Sequence, residues 1–184
     1  MSGDPAAGPD RAPGGPAIPV DPGAAAGAGS GDEAARLAAW FRRHWADEIP
    51  FNLHAGMVIR RWDPDVVEIE LPYDDAFSAH EGIFHGGMIA ALIDTTGTGA
   101  VMAGHDFRKG SRASTVSMTV NYVASAPYES AVATARTVHR GGRLHHAEVR
   151  VHAASGKLLA HGTVVVNVSG RRAGIPAGGG EAGA

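Results

Sequence analysis

The chain has no cysteine, which excludes disulfides and thiolate chemistry. It also lacks a strong excess of either charge. A net charge of -3 over 184 residues gives no electrostatic case for nucleic acid or for an anionic membrane surface. No stretch of ~18 residues stays apolar without glycine and polar breaks, so no membrane span is expected. The first residues carry Asp4, Asp10 and many prolines, where a secretory leader would place a basic segment and then an apolar one. A cytoplasmic protein is the resulting expectation. Two catalytic signatures are missing as well. There is no His-Glu-x-x-His or comparable ligand spacing, so no metal site is expected. There is no Gly-x-Ser-x-Gly elbow, which argues against a Ser-His-Asp hydrolase.

Large apolar side chains are unevenly spread. Residues 1–31 are mostly Gly, Ala and Pro, with little beyond Ile18 and Val20 to bury. Such a segment cannot offset its ordering entropy and reads as a disordered tail, as do residues 170–184. One folded domain is expected over residues 32–169, with no internal repeat.

Asp32 is a candidate N-cap for a first helix, in which Leu37, Trp40, Phe41, His44 and Trp45 share one face. Pro50 stops its continuation. Gly56 to Trp62 and Val66 to Leu71 read as an antiparallel hairpin about the turn Asp63-Pro64-Asp65. Gly86 to Ala103 is apolar all round, the mark of a buried helix. Its Gly97 and Gly99 each lower helix propensity by ~1 kcal/mol relative to Ala, which fits another backbone packing closely there. Four more strands are expected at Ala113 to Ala124, Glu129 to Arg140, Leu144 to Ala154 and Leu158 to Val168, joined by short turns. A six-stranded antiparallel sheet curled around one helix, with the amphipathic helix at the N-terminal side, is an α+β two-layer domain.

The most informative phrase runs from Gly82 through His85-Gly86-Gly87 to Asp94-Thr95. His85-Gly86-Gly87 opens the buried helix. Its first N–H groups lack internal partners, sit at the positive end of the macrodipole and are closely approachable past glycine. That suits an oxyanion hole at Gly86 and Gly87. Asp94 is the only ionisable residue inside the helix. A carboxylate so placed is a candidate general base or nucleophile. The alternative is a structural Asp94, bonded to Thr95, Thr98 or a nearby backbone N–H. Gly87 and Asp94 lie about 10 Å apart at ~1.5 Å rise per residue, too far for one carbonyl to touch both. A second copy of the helix, antiparallel across a two-fold axis, would close that gap and make the site shared between subunits.

The His-Gly-Gly-x6-Asp pattern, followed by Thr115-Val116-Ser117-Met118-Thr119-Val120-Asn121-Tyr122 and by Gly142-Arg143, resembles the hotdog-fold thioesterases of the phenylacetate-degradation (PaaI) type. The likeness covers roughly Phe51 to Val168. It implies hydrolysis of an acyl-CoA thioester by a homodimer or dimer of dimers that needs no metal or bound cofactor, coenzyme A being part of the substrate. It implies that Gly86 polarises the carbonyl, that Asp94 comes from the partner subunit, and that His85 is a positioning residue. Thr115, with Ser114 and Ser117 as near alternatives, would help hold the attacking water. Similar enzymes often carry Asn six residues before the motif His. This chain has Ala79 there, and His80 beside it is a possible substitute or a plain surface histidine.

Coenzyme A requires cations for its phosphates. Arg108, Lys109 and Arg112 follow the helix, and Arg140 and Arg143 flank Gly141-Gly142. His145 and His146 point to opposite faces of a strand, a poor metal pair. Met88, Leu92, Trp62, Phe77 and Phe84 are the expected acyl-pocket lining. The scarcity of aromatics near the motif favours an aliphatic acyl chain. The competing reading is a non-catalytic acyl-CoA-binding module. A dehydratase is disfavoured because no strand-to-helix segment sets an Asp and a His to work together.

Overall fold

The computed structural model describes residues 30–170; the two expected tails lie outside these, apart from their innermost residues. Within them the chain runs α1 (Ser30–Asp47), α2 (Pro50–His54), β1 (Val58–Asp63), β2 (Val66–Leu71), β3 (Ser78–His80), β4 (Ile83–Phe84), α3 (Gly86–Ala103), β5 (Arg112–Tyr122), β6 (Ala131–Arg140), β7 (Leu144–Ala153) and β8 (Leu158–Ser169). β1, β2 and β5 to β8 form one antiparallel sheet in the order β1-β2-β6-β7-β8-β5. It wraps around α3, as the pattern predicts.

Alternation along the strands explains the wrap. β6 turns Ala131, Ala133 and Ala135 inward, and β7 turns Ala147, Val149 and Val151 inward. Small side chains in the middle strands let the helix settle low in the sheet. Leu92, Ile93, Val101 and Met102 are fully buried there. Burying such a side chain is worth about 1.5–3 kcal/mol, so this helix is a substantial apolar part of the core, which the strands around it complete.

Four expectations need correction. Pro50 does end α1, but it also opens the short helix α2 at a position where its missing N–H costs nothing. A second, two-stranded sheet, β3 with β4, precedes the helix and was not legible as alternation because each strand is so short. Gly97 and Gly99 do lie at close approaches, but to side chains. A Cβ on Gly97 would sit 2.7 Å from a Val164 methyl, and one on Gly99 would meet Trp62 and Trp45. α1 begins at Ser30 rather than at Asp32, and the side chains of Asp32 and Leu37 are outside the described set.

Gly162 is the tighter site. A Cβ there would lie 2.3 Å from the Thr119 carbonyl oxygen, on the strand next to it. A valine methyl can turn aside, whereas a paired backbone cannot. Gly162→Ala is therefore expected to lower stability by about 2–4 kcal/mol, mostly by pushing β5 off β8. Gly97→Ala should cost less, since the ~1 kcal/mol gain in helix propensity offsets part of the crowding. Denaturant midpoints of the two variants check the order, and equal midpoints would refute it.

At the far end of α3 the Arg140 guanidinium donates to the Asp65 carboxylate and to the Val101 carbonyl, 2.9 Å away. Arg140 thus closes the helix C-terminus onto the β1–β2 turn, and it is not a spare cation for phosphate. Below it His145 is 5 % exposed, with neither ring nitrogen bonded. The His105 ring lies 5.7 Å from it, with its Nε2 3.0 Å from the Gly110 carbonyl. Burial pushes both imidazoles below their ordinary value. His105 and Arg140, then His139 and His146, add to the effect at His145. At His105 the Gly110 carbonyl and Asp106 act the other way, while Arg140 and Lys109 reinforce the drop. The unfolded chain then binds more protons than the folded one below pH ~6.5. Stability should be level above that pH and fall as the pH drops through it. Melting temperatures measured from pH 8 to pH 5 should show this bend, and His145→Phe should flatten it. An unchanged bend in the variant would clear His145 of responsibility.

Candidate active site

The site begins with a clamp on the turn before α3. Gly82 has φ +76, and the space of its absent Cβ is filled by the Tyr128 ring, 2.7 Å away. The Tyr128 N–H donates to the Gly82 carbonyl at 2.7 Å, and its hydroxyl donates to Glu81 at 3.0 Å. Only glycine meets both demands. The turn so held, the His85 N–H donates to the Phe77 carbonyl at 2.8 Å and fixes where α3 starts.

His85 is the N-cap of α3. Its Nδ1 accepts the Gly87 N–H at 2.9 Å, and its carbonyl accepts the Met88 N–H at 2.9 Å. An imidazole that accepts at Nδ1 carries its proton on Nε2, which makes His85 neutral in this arrangement. The consequence bears on the expected oxyanion donors. The Gly87 amide is occupied by the cap, whereas the Gly86 amide has no acceptor among the described residues. The Gly86 carbonyl accepts from the Tyr122 hydroxyl at 2.8 Å, and the Tyr122 ring lies 3.4 Å from where a Gly86 Cβ would be. Sequence reasoning missed Tyr122 as a contact. Its signal was a lone tyrosine at the end of a strand.

Asp94 lies two turns further along α3 and is half-buried rather than sealed in apolar surroundings. The Thr115 hydroxyl donates to its Oδ1 at 2.6 Å. Thr115 and Thr98 oxygens are 3.3 Å apart. Thr115 has one proton and gives it to Asp94, so Thr98 is the donor in that second contact. None of the structural partners weighed for Asp94 from sequence turns out to hold it directly.

A β-bulge explains why Thr115 rather than Ser114 or Ser117 points inward. Thr115 pairs with Val166 and Ser117 with Val165, leaving Val116 as the extra residue. Ala113 and Thr115 share the inward face before the bulge, and Met118, Val120 and Tyr122 share it after. β5 is the sheet's edge strand, with Val116 54 % and Tyr122 57 % exposed.

Asp94 and Thr115 line a cavity of about 390 Å³, together with Phe41, Trp45, Phe51 and Arg112. The expected lining does not supply it. Leu92 is buried in the core, Trp62 packs on Trp45, and Phe77 contacts His54. The aromatic wall comes from α1 and α2, far away in sequence, which removes the argument for an aliphatic acyl chain. Gly86 and Tyr122 instead border a separate, smaller depression of about 60 Å³, with Phe84.

The other candidates scatter. His80 is exposed on β3, beside an exposed Ala79, and Met88 is half-buried against the core. Arg143 is exposed in the β6–β7 turn, and the Arg108 side chain lies outside the described set. Among the described residues, no group of three His, Asp or Glu side chains is placed to hold a metal ion. None of their helices is long and apolar enough to cross a membrane.

Residues 81–160 match the family model described as the thioesterase superfamily. No curated protein matches in sequence. Among solved structures, AziG of S. sahachiroi is 27 % identical with a TM-score of 0.60, over 65 % of this chain and 96 % of its own. The E. coli PaaI protein from the phenylacetic acid degradation operon is 16 % identical with a TM-score of 0.67, over 76 % and 98 %. A hypothetical thioesterase protein from Streptococcus pneumoniae, solved with coenzyme A, is 19 % identical with a TM-score of 0.56, over 63 % and 88 %. The fold is the hotdog fold, and the matched segment contains α3 and all of β5, β6 and β7.

Proposed function

We propose that the protein is an acyl-CoA thioesterase of the PaaI type, working as a two-fold dimer with each active site shared between subunits. The observation that carries this is the split of the chemistry along β5. Asp94 and Thr115 sit near one end of the strand, and the free Gly86 amide with Tyr122 sits at the other, in different depressions of one chain. Pairing β5 with its copy, antiparallel about the strand's middle, brings the Asp94 end of one subunit against the Gly86 end of the other. The unpaired edge and the exposed Val116 and Tyr122 favour such a contact.

In this reading water attacks the thioester carbon while Asp94 takes its proton. The Gly86 amide stabilises the oxyanion as the C–O bond forms. The C–S bond then breaks, and coenzyme A leaves as a thiolate, which asks little of a general acid. Asp94 is the base here; a direct attack by its carboxylate would give an anhydride instead, and the same amide would serve. Arg112 at the cavity is a candidate phosphate contact, with Arg108 and Arg143 beside it in that role and Met88 and His80 as further substrate contacts. The Streptococcus pneumoniae neighbour solved with coenzyme A supports the choice of substrate.

The test is a panel of acyl-CoAs with detection of released thiol, and size measurement of the protein in solution. Turnover by a dimer or larger assembly is expected. Binding without thiol release would replace the enzyme with a carrier or sensor.

A further inference from the structure

An attacking water presents two O–H bonds, and both need acceptors if its lone pair is to face the carbonyl. Asp94 accepts one. Thr115 offers little for the second, because its oxygen already donates to Asp94 and faces the Thr98 donor. Asn52 is another polar group in the wall of the same cavity. It is 4 % exposed, in α2. Its Nδ2 donates to the Trp45 carbonyl at 2.9 Å, which fixes the amide plane and settles which end is oxygen. No donor among the described residues reaches its Oδ1, yet that atom is not sealed in by protein. A carbonyl oxygen on a side chain this enclosed favours a partner. A water in the cavity would satisfy it.

We infer that Asn52 is the second acceptor for the attacking water, orienting it between its Oδ1 and the Asp94 carboxylate. The inference rests on the thioesterase reading above. It assigns a role in the reaction to α2, a helix outside the matched segment of residues 81–160. It also accounts for the pinned amide, since a side chain bound at one end only and buried at the other needs a partner the protein does not supply.

Two variants separate this role from a structural one, because both lose the bond to the Trp45 carbonyl. Asn52→Leu removes the acceptor at similar size. Asn52→Asp keeps an oxygen there and places a second carboxylate across the cavity from Asp94. With Asn52→Leu, kcat should fall roughly ten- to a hundredfold, with KM within about twofold. Asn52→Asp should retain more kcat than Asn52→Leu at high pH. The acid limb of its pH–rate profile should move upward, since like charges facing one cavity disfavour ionisation. Equal losses in both variants without a shifted limb would make Asn52 a plain tie between α1 and α2 and overturn the inference. An effect confined to KM would overturn it in favour of acyl-group recognition. If the wild type turns over no thioester at all, the thioesterase reading falls as well; if it does and Asn52→Leu keeps full kcat, only this inference falls.

Discussion

Asp94→Asn is expected to lower kcat for acyl-CoA hydrolysis by about 10³-fold while leaving the protein folded. General-base assistance is typically worth 10²–10⁴, and the amide cannot take a proton from water. The variant keeps a carbonyl oxygen to accept the Thr115 hydroxyl, so the α3–β5 contact that Asp94 makes at 2.6 Å survives. Asp94 is half-buried on the open side of α3, away from the fully buried Leu92 and Ile93. A melting temperature within a few degrees of wild type should therefore accompany the loss. Thr115→Val should act more weakly, because it removes only the group that orients the carboxylate. Retention of even a tenth of wild-type kcat by Asp94→Asn would remove Asp94 from the chemistry.

The second large effect concerns one hydrogen atom. Gly86→Pro deletes the Gly86 N–H and little else. Proline is well tolerated at the first position of a helix. The residue before a proline favours extended backbone, and His85 already has φ -58 and ψ 133. A Cβ at Gly86 meets the Tyr122 ring at 3.4 Å, an ordinary contact. The fold should hold while kcat falls about 10²–10³-fold, the typical loss for one oxyanion donor. The variant also tests sharing. In a mixture of Asp94→Asn and Gly86→Pro chains, half of the dimers are mixed, and each mixed dimer has one site built from two intact halves. About a quarter of wild-type activity should return on mixing two nearly inactive proteins, a fraction set by random pairing. No recovery after subunit exchange is demonstrated would mean that each chain holds a whole site.

The folded core was legible where pattern and period agree. The all-apolar run over Gly86–Ala103 and the alternation in β6 to β8 gave the helix and three of its enclosing strands nearly to the residue. The site was legible only where it is local. His85, Gly86 and Asp94 lie in one phrase, and their spacing on a helix is arithmetic. What escaped depends on contacts between distant segments. Phe41, Trp45 and Asn52 reach the Asp94 cavity because α1 and α2 fold over it, which no periodicity reports. Occupation of the Gly87 amide by its own N-cap histidine depends on a side-chain rotamer. The bulge at Val116 is invisible in a run of residues that all favour strands, yet it decides which hydroxyl meets Asp94. Arg140 looked like a phosphate ligand because it stands beside a glycine turn; its true partners come from β1–β2 and α3.

That single extra residue in β5 has a consequence for how the strand can change. Upstream of it, odd-numbered positions look into the molecule; downstream, even-numbered ones do. Excising Val116 would join Thr115 to Ser117, whose partners Val166 and Val165 are already consecutive, so the ladder would become regular with Thr115, Met118 and Val120 still facing inward. A second deletion would find no such slack: it would turn either Thr115 away from the carboxylate or Val120 and the tyrosine that steadies the start of α3 out of the interior. The strand thus carries one spare residue, and its catalytic end can be shortened by that residue and no further.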